Sequence, residues 1–405
     1  MAPAMAISPS SSLLAASFSV ILLLICSAAG TKLYAQALGN DSGTPVENIF
    51  ENAETDRVTL NNIPQASSQY YGNLSSNVLI FQTSVSIACA TTKVIRPPAD
   101  HEPPVRTIIA TPIQNGTYPV ILFKHGFSLA NCFYTQLFEY LASSGYIVVA
   151  PQTQLTLDSN CTEEINETAE VANWIPKSLE ALLNASIPTG DVVIPDVSKL
   201  VMAGHSRGGK IAFALALGKA NATEIPSFSA LATLDPVDGN GPDSEFIPKM
   251  VQAGCNHTEN ALSIPVLILG TGYGSKHSGP LGIMPPCAPA CCSHAGYFNC
   301  SSSPLIYHFV ALEYGHLDFL DDSEIWTPIM CTSGTSKAPM RSFSGRLLVA
   351  FLQANLEGNE EDMEYILEKW DEDIDSVKLD EPQIYTEDTL ILKGPLVSNP
   401  KSAFF

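Results

Sequence analysis

Ser206 stands in a setting that suits a nucleophile. It is the third residue of a G-x-S-x-G pattern, Gly204-His205-Ser206-Arg207-Gly208, within the stretch V-M-A-G-H-S-R-G-G-K of Val201–Lys210. The apolar run Leu200–Ala203 precedes it, and Ile211–Leu217, closed by Gly218, follows it. That order reads strand, tight turn, helix. In such a turn the hydroxyl is held up at the sheet edge, and the helix N-terminus behind it favours developing negative charge. Alone, a serine hydroxyl is a weak nucleophile. It needs a base, a carboxylate to orient the base, and N–H donors for an oxyanion. The chemistry expected of such a set is acyl transfer.

Eight histidines compete for the role of base. His101 and His257 lie in polar stretches, and His277 and His294 in a loop-rich insert. His308 falls inside a strand, as a core or sheet-face residue. His205 is next to the serine, so its side chain is expected to point elsewhere, and His125 belongs to an earlier His-Gly loop. His316 follows the last strand, in Tyr314-Gly315-His316, and is the expected base. For the orienting acid, Asp235 lies 29 residues after Ser206, at the end of the next strand. The strand after that leads into Thr271-Gly272-Tyr273-Gly274, without a carboxylate, which favours Asp235; Asp238 remains the rival. The oxyanion donors are expected to be the backbone N–H groups of Arg207 and of Phe127, in Lys124-His125-Gly126-Phe127.

These residues must be positioned by the elements between them. Pro119–Phe123, Tyr146–Ala150, the run before Ser206, Phe228–Leu234, Ile264–Gly270 and Leu305–Leu312 read as short buried strands. Cys132–Ser144, Thr168–Asn184, the run after Ser206 and Phe343–Leu356 read as helices between them. Alternation of this kind means a mostly parallel sheet with helices on both faces. Leu79–Thr91 and Val94–Ala110, broken by Pro97-Pro98 and Pro103-Pro104, are expected to add antiparallel edge strands at the N-terminal side. Ser206, Asp235 and His316 each follow a strand's carboxyl end, where ligands bind in such sheets. The order Ser, Asp, His is that of the α/β-hydrolase fold.

Composition narrows the function further. The chain has 405 residues and a net charge of −21, which excludes nucleic acid as a partner and argues against electrostatic docking on anionic lipid. Fourteen acidic residues fall in 357–388, so 359–405 is expected to be a solvated acidic extension after a hydrolase domain at 81–358. Residues 1–37 resemble a secretory signal, with an apolar core at Leu13–Gly30, followed by a polar extension at 38–80. Nine N-x-S/T sequons begin at Asn40, Asn73, Asn115, Asn160, Asn166, Asn184, Asn221, Asn256 and Asn299. Composition alone would give roughly three. N-linked glycans and the secretory pathway, leading to vacuole or cell exterior, are therefore expected; the serine-rich N-terminus keeps the chloroplast as the alternative. Nine cysteines follow the signal, and several should pair in an oxidising compartment, leaving at least one thiol over. Cys287, Cys291, Cys292 and Cys300 with His294 are expected to form a local disulfide-tied loop rather than a zinc site, since no paired C-x-x-C is present.

Several stretches together resemble plant chlorophyllases. They are Gly204-His205-Ser206-Arg207-Gly208-Gly209-Lys210 with Ala212–Leu217, Leu234-Asp235-Pro236-Val237-Asp238-Gly239, Met284-Pro285-Pro286-Cys287-Ala288-Pro289, Tyr314–Asp322, and Met340-Arg341-Ser342-Phe343. The resemblance runs from about Val105 to Gly358. It implies hydrolysis of the phytyl ester of chlorophyll by a triad that falls on Ser206, Asp235 and His316, with no cofactor or metal in the chemistry. So apolar a substrate implies an apolar pocket, for which Phe127, Leu129, Phe133 and Tyr134 are the candidates, and it leaves room for peripheral membrane contact. A secreted lipase, a cutinase-like enzyme or a general carboxylesterase would use the same triad. A non-catalytic binding protein of the same fold is disfavoured by three intact triad positions.

Overall fold

A computed structural model describes residues 77–392, apart from 91, 154–157, 222–223, 243, 280–281, 325–326 and 387–388. The signal-like segment, most of the N-terminal extension, Asn40, Asn73 and the last residues lie outside this range. The strands are β1 Val78–Gln82, β2 Thr107–Pro112, β3 Gly116–Lys124, β4 Ile147–Pro151, β5 Val193–His205 and β6 Ala230–Leu234. There follow β7 Asn260–Ala261, β8 Val266–Thr271, β9 Ser301–Ser302, β10 Ile306–Ala311, β11 Gln383–Thr386 and β12 Thr389–Leu392. The α-helices are α1 Thr135–Ser143, α2 Thr162–Ser186, α3 Arg207–Ala216, α4 His294–Cys300, α5 Thr327–Met330, α6 Ala338–Leu352 and α7 Glu361–Glu368.

Ten strands form one sheet in the order β1-β2-β4-β3-β5-β6-β8-β10-β11-β12, while β7 and β9 pair separately. The six central strands from β4 to β10 run parallel, and the pairs at either edge run antiparallel. This is the α/β-hydrolase arrangement. Its central strands read as continuous apolar runs because both faces are covered. On one face Val120, Leu122, Leu200, Met202 and Ile268 pack with Ile165, Leu179, Leu182, Ile211 and Phe213 of α2 and α3. On the other, Phe123 meets Phe138 of α1 at 5.1 Å between rings. There α6 comes so close to α1 that a Cβ on Gly345 would lie 2.6 Å from the Tyr140 ring. Each such buried Leu or Phe side chain stabilises the fold by about 1.5–3 kcal/mol.

Three expectations change. The edge strands β1 and β2 are shorter than the apolar runs suggested, because the prolines lie between them, where the described residues of 83–106 form loops and single 3₁₀ turns. The acidic stretch after 358 is not a separate extension. Its α7 buries Met363 and Ile366, Ile374, Val377 and Leu379 are buried after it, and β11 pairs with β10. A few apolar residues at wide spacing anchor the segment while its carboxylates stay outside. Two of those, Asp362 and Asp375, are gathered by Arg346. The cysteines pair over long range, Cys89–Cys132, Cys255–Cys300 and Cys287–Cys331, rather than in a local loop, and Cys161, Cys291 and Cys292 are free. Cys287 and Cys300 are held in disulfides to other partners and His294 lies within hydrogen-bond distance of His308 (Nδ1 to Nε2, 2.8 Å), so these side chains do not converge as a ligand set.

His308 ties the C-terminal segment to the sheet, through Nδ1 to Gln383 Oε1 at 2.7 Å. Burial pushes its imidazole down to about 3, with the neighbouring His294 acting in the same direction. Below about pH 6.5 the unfolded chain takes up a proton here that the folded chain refuses, so acidification favours unfolding. His308→Asn should therefore cost stability at pH 7, and that cost should shrink by roughly 2 kcal/mol by pH 5, as read from urea unfolding at the two pH values.

Candidate active site

The turn from β5 into α3 sets Ser206 at φ 58°, ψ −127°, a conformation a non-glycine residue adopts only when its surroundings enforce it. Enforcement comes from close packing on either side. A Cβ on Gly204 would lie 2.4 Å from the Gly208 carbonyl oxygen, and one on Gly208 would lie 2.1 Å from the Lys124 carbonyl oxygen. The backbone is pinned as well: the Ser206 N–H donates to Leu234 O at 3.0 Å, and Ser206 O accepts from Gly209 N at 2.9 Å.

Ser206, His316 and Asp235 form an unbroken hydrogen-bonded line at the carboxyl ends of β5, β10 and β6. His316 Nε2 lies 2.7 Å from Ser206 Oγ, and His316 Nδ1 lies 2.6 Å from Asp235 Oδ2. With the aspartate ionised, Nδ1–H donates to it and Nε2 is left to accept the serine proton. All three residues are buried. Burial works to raise the Asp235 carboxyl. Hydrogen bonding and charge from His316 outweigh it, aided by His294 and Thr271, and hold the carboxyl below its usual value. Thr271 donates both its hydroxyl (2.8 Å) and its N–H (3.2 Å) to Asp235. The strand β8, which carries no carboxylate at its end, thus supplies two of the acid's donors.

The rival Asp238 is elsewhere. It forms a buried ion pair with Lys210 and accepts the N–H groups of Met250 and Val251 at 2.9 and 2.8 Å. Asp318, Asp321 and Asp322 bond to other partners than His316.

Phe127 lies on the loop after β3 and Arg207 is the first residue of α3, and their N–H groups donate to no described residue. The loop of Phe127 is held close to the serine: a Cβ on Gly126 would come within 3.1 Å of Ser206 Cβ. Two donors beside one hydroxyl can receive the negative charge of a tetrahedral intermediate.

His205 does not simply point away from the site. Its ring packs at 4.8 Å from that of His316. Its Nε2–H donates to His316 O at 2.8 Å, so Nδ1 must accept from Tyr134 O–H at 2.7 Å. The Tyr134 oxygen in turn accepts the Gly126 N–H at 3.1 Å. Burial first, then the charge of His316, pushes the His205 imidazole down to about 3, so it stays neutral. One chain of hydrogen bonds thereby joins the base's loop to the loop of Phe127. Tyr134 is fully buried in that chain and cannot wall an open pocket, as it was expected to. Leu129 is buried against Gly126, while Phe133 and Phe127 are half-buried. The Phe127 ring stacks on Phe246 at 6.5 Å, and the Arg207 guanidinium lies over both rings at 5.4 and 4.9 Å. Phe246 is a site residue with no signal in the sequence.

Beneath the site lies a buried ionic cluster. Glu164 of α2 pairs with the Arg207 guanidinium and with Lys124 at 3.6 Å, and Arg207 Nη1 donates to Asp158 O at 2.6 Å. Burial lowers Lys124 to about 8, against the opposing charge of Glu164. Removing the Glu164 carboxylate would take away the ion-pair partner that the buried Arg207 and Lys124 share. Glu164→Ala should destabilise the fold by about 3–5 kcal/mol, measurable as a drop in the urea midpoint.

The chlorophyllase family profile matches residues 78–386. The chain is 37% identical over 308 residues to chlorophyllase-2 of Arabidopsis thaliana, covering 75% of this chain and 93% of that one. Chlorophyllase-1 of the same plant is 39% identical over 302 residues, with 72% and 88% covered. Chlorophyllase-1, chloroplastic, of Citrus sinensis is 37% identical over 291 residues, with 70% and 82% covered. A serine elbow, a mostly parallel sheet and a family match over residues 78–386 have one reading: the chain belongs to the chlorophyllase family and is a carboxylic-ester hydrolase.

Proposed function

We propose that the enzyme cleaves the phytyl ester of chlorophyll to chlorophyllide and phytol, in chlorophyll degradation, with Ser206 as nucleophile, His316 as base and Asp235 as its orienting acid. The observation that carries the chemistry is the Ser206–His316–Asp235 hydrogen-bonded line; family membership supports the substrate. Ser206 Oγ attacks the ester carbonyl while His316 Nε2 takes its proton. The N–H groups of Phe127 and Arg207 hold the oxyanion, and phytol leaves with the proton from Nε2. Water, deprotonated by the same nitrogen, then releases the chlorophyllide acid. The half-buried rings of Phe127 and Phe133 suit an apolar substrate, and the active enzyme works against a membrane or pigment surface.

Purified enzyme given chlorophyll a, a p-nitrophenyl ester and a triglyceride in parallel tests this reading. Chlorophyllide release with the highest kcat/KM is the expected outcome. Fast hydrolysis of the small esters or triglyceride without chlorophyllide would establish a general carboxylesterase or lipase instead. The enzyme's place is the secretory pathway, a reading supported by three long-range disulfide pairs and by the density of sequons.

A further inference from the structure

The last turns of α2 and the start of β5 enclose a surface groove away from the triad, at the opposite ends of the strands. Its volume is about 330 Å³, and Pro176, Pro195, Val197, Lys177, Glu180 and Asn184 line it. That is on the order of ten water molecules, room for a sugar ring. Asn184 opens the sequon Asn184-Ala185-Ser186 and is exposed. Its orientation is fixed by the backbone beside it: Val193 N–H donates to Asn184 Oδ1 at 3.2 Å, so the oxygen faces inward. Its Nδ2 donates to no described residue. A nitrogen presented outward at the rim of a groove is what a covalently attached ligand would need.

We propose that Asn184 carries an N-linked glycan whose first sugar lies in this groove. The donor is an oligosaccharide linked to a lipid diphosphate. Asn184 Nδ2 forms a bond to the anomeric carbon of the first sugar, that carbon's bond to the diphosphate oxygen breaks, Nδ2 loses one proton, and the lipid diphosphate leaves. The groove suits a sugar on both counts. Pro176, Pro195 and Val197, the last 38% exposed, face the apolar C–H side of a pyranose, and Lys177 and Glu180 offer hydrogen bonds to its hydroxyls. Covering Val197 removes apolar surface from water that the protein alone leaves open. The proposal rests on passage through the ER and is independent of the ester chemistry.

The test uses the full chain secreted from plant or insect cells. Enzymatic deglycosylation in ¹⁸O-water followed by peptide mass spectrometry should mark Asn184 as ¹⁸O-aspartate. On the native protein, an endoglycosidase should release the Asn184 glycan several-fold more slowly than glycans on the other occupied sequons, and equally fast after unfolding. Asn184→Asp keeps the oxygen that Val193 needs, and Ser186→Ala leaves Asn184 in place; each should remove one glycan and raise binding of an apolar dye. An unmarked Asn184 beside marked sequons overturns the site, and unmarked sequons throughout overturn the ER passage with it. A glycan released as fast as the rest overturns its seat in the groove.

Discussion

Ser206→Ala should lower ester turnover about 10⁶-fold while the fold and the thermal midpoint stay near those of the wild type. Only the hydroxyl is removed, and its one side-chain hydrogen bond among the described residues is the 2.7 Å bond to His316 Nε2. The strained backbone at φ 58° does not depend on it, since glycine packing and the Leu234 and Gly209 hydrogen bonds hold the turn. Residual rate should come from the oxyanion donors and binding alone. Loss of covalent labelling by a fluorophosphonate, alongside loss of turnover, separates nucleophile from bystander. Turnover within tenfold of wild type would remove Ser206 from the mechanism.

Asp235→Asn should lower kcat by about 10⁴ with little change in KM. The reason lies in which way the new amide must face. Thr271 N–H donates to Oδ1, so that position requires an oxygen. The amide NH₂ then takes the place of Oδ2, where the Thr271 hydroxyl turns from donor to acceptor, and donates its other hydrogen to His316 Nδ1. That forces the imidazole proton onto Nε2, where it blocks acceptance of the serine proton. Asp238→Asn is the control. It weakens a buried pair with Lys210, whose ammonium also donates to Phe246 O at 3.0 Å, and should lower the thermal midpoint while leaving kcat within an order of magnitude. If Asp238→Asn lost turnover and Asp235→Asn kept it, the two acids would exchange roles. Circular dichroism and steady-state kinetics on both variants decide between them.

Much of the site could be read along the chain because each part sits at a junction between apolar runs. Ser206, Asp235 and His316 each follow the last apolar residue of a strand, and strand ends are visible as changes of hydrophobicity. The glycine spacing around Ser206 announces a turn that only small residues fit. The supporting residues carry no such mark. Glu164 lies in a helix that also shows Glu163 and Glu167, and its neighbours give no reason to single it out. Lys124 ends a strand and looks like a solvated charge, yet it is fully buried. Adjacency to the serine gives His205 no role in the sequence, whereas its ring lies between the base's carbonyl and Tyr134.

The sequence by itself determined the order of elements, and with it the class of sheet and the end of the sheet where chemistry occurs. Local hydrophobic period and turn residues suffice for that, because each acts over a few neighbouring positions. Tertiary structure alone decided which carboxylate faces His316 and which lies with Lys210, three residues apart on one turn. It also decided that Thr271 donates to that acid, that the cysteines pair across more than forty residues, and that an acidic tail supplies β11. These depend on segments distant in the chain meeting in space. The balance there is between burying a charge and pairing it, and no property of a single stretch records which partner will arrive.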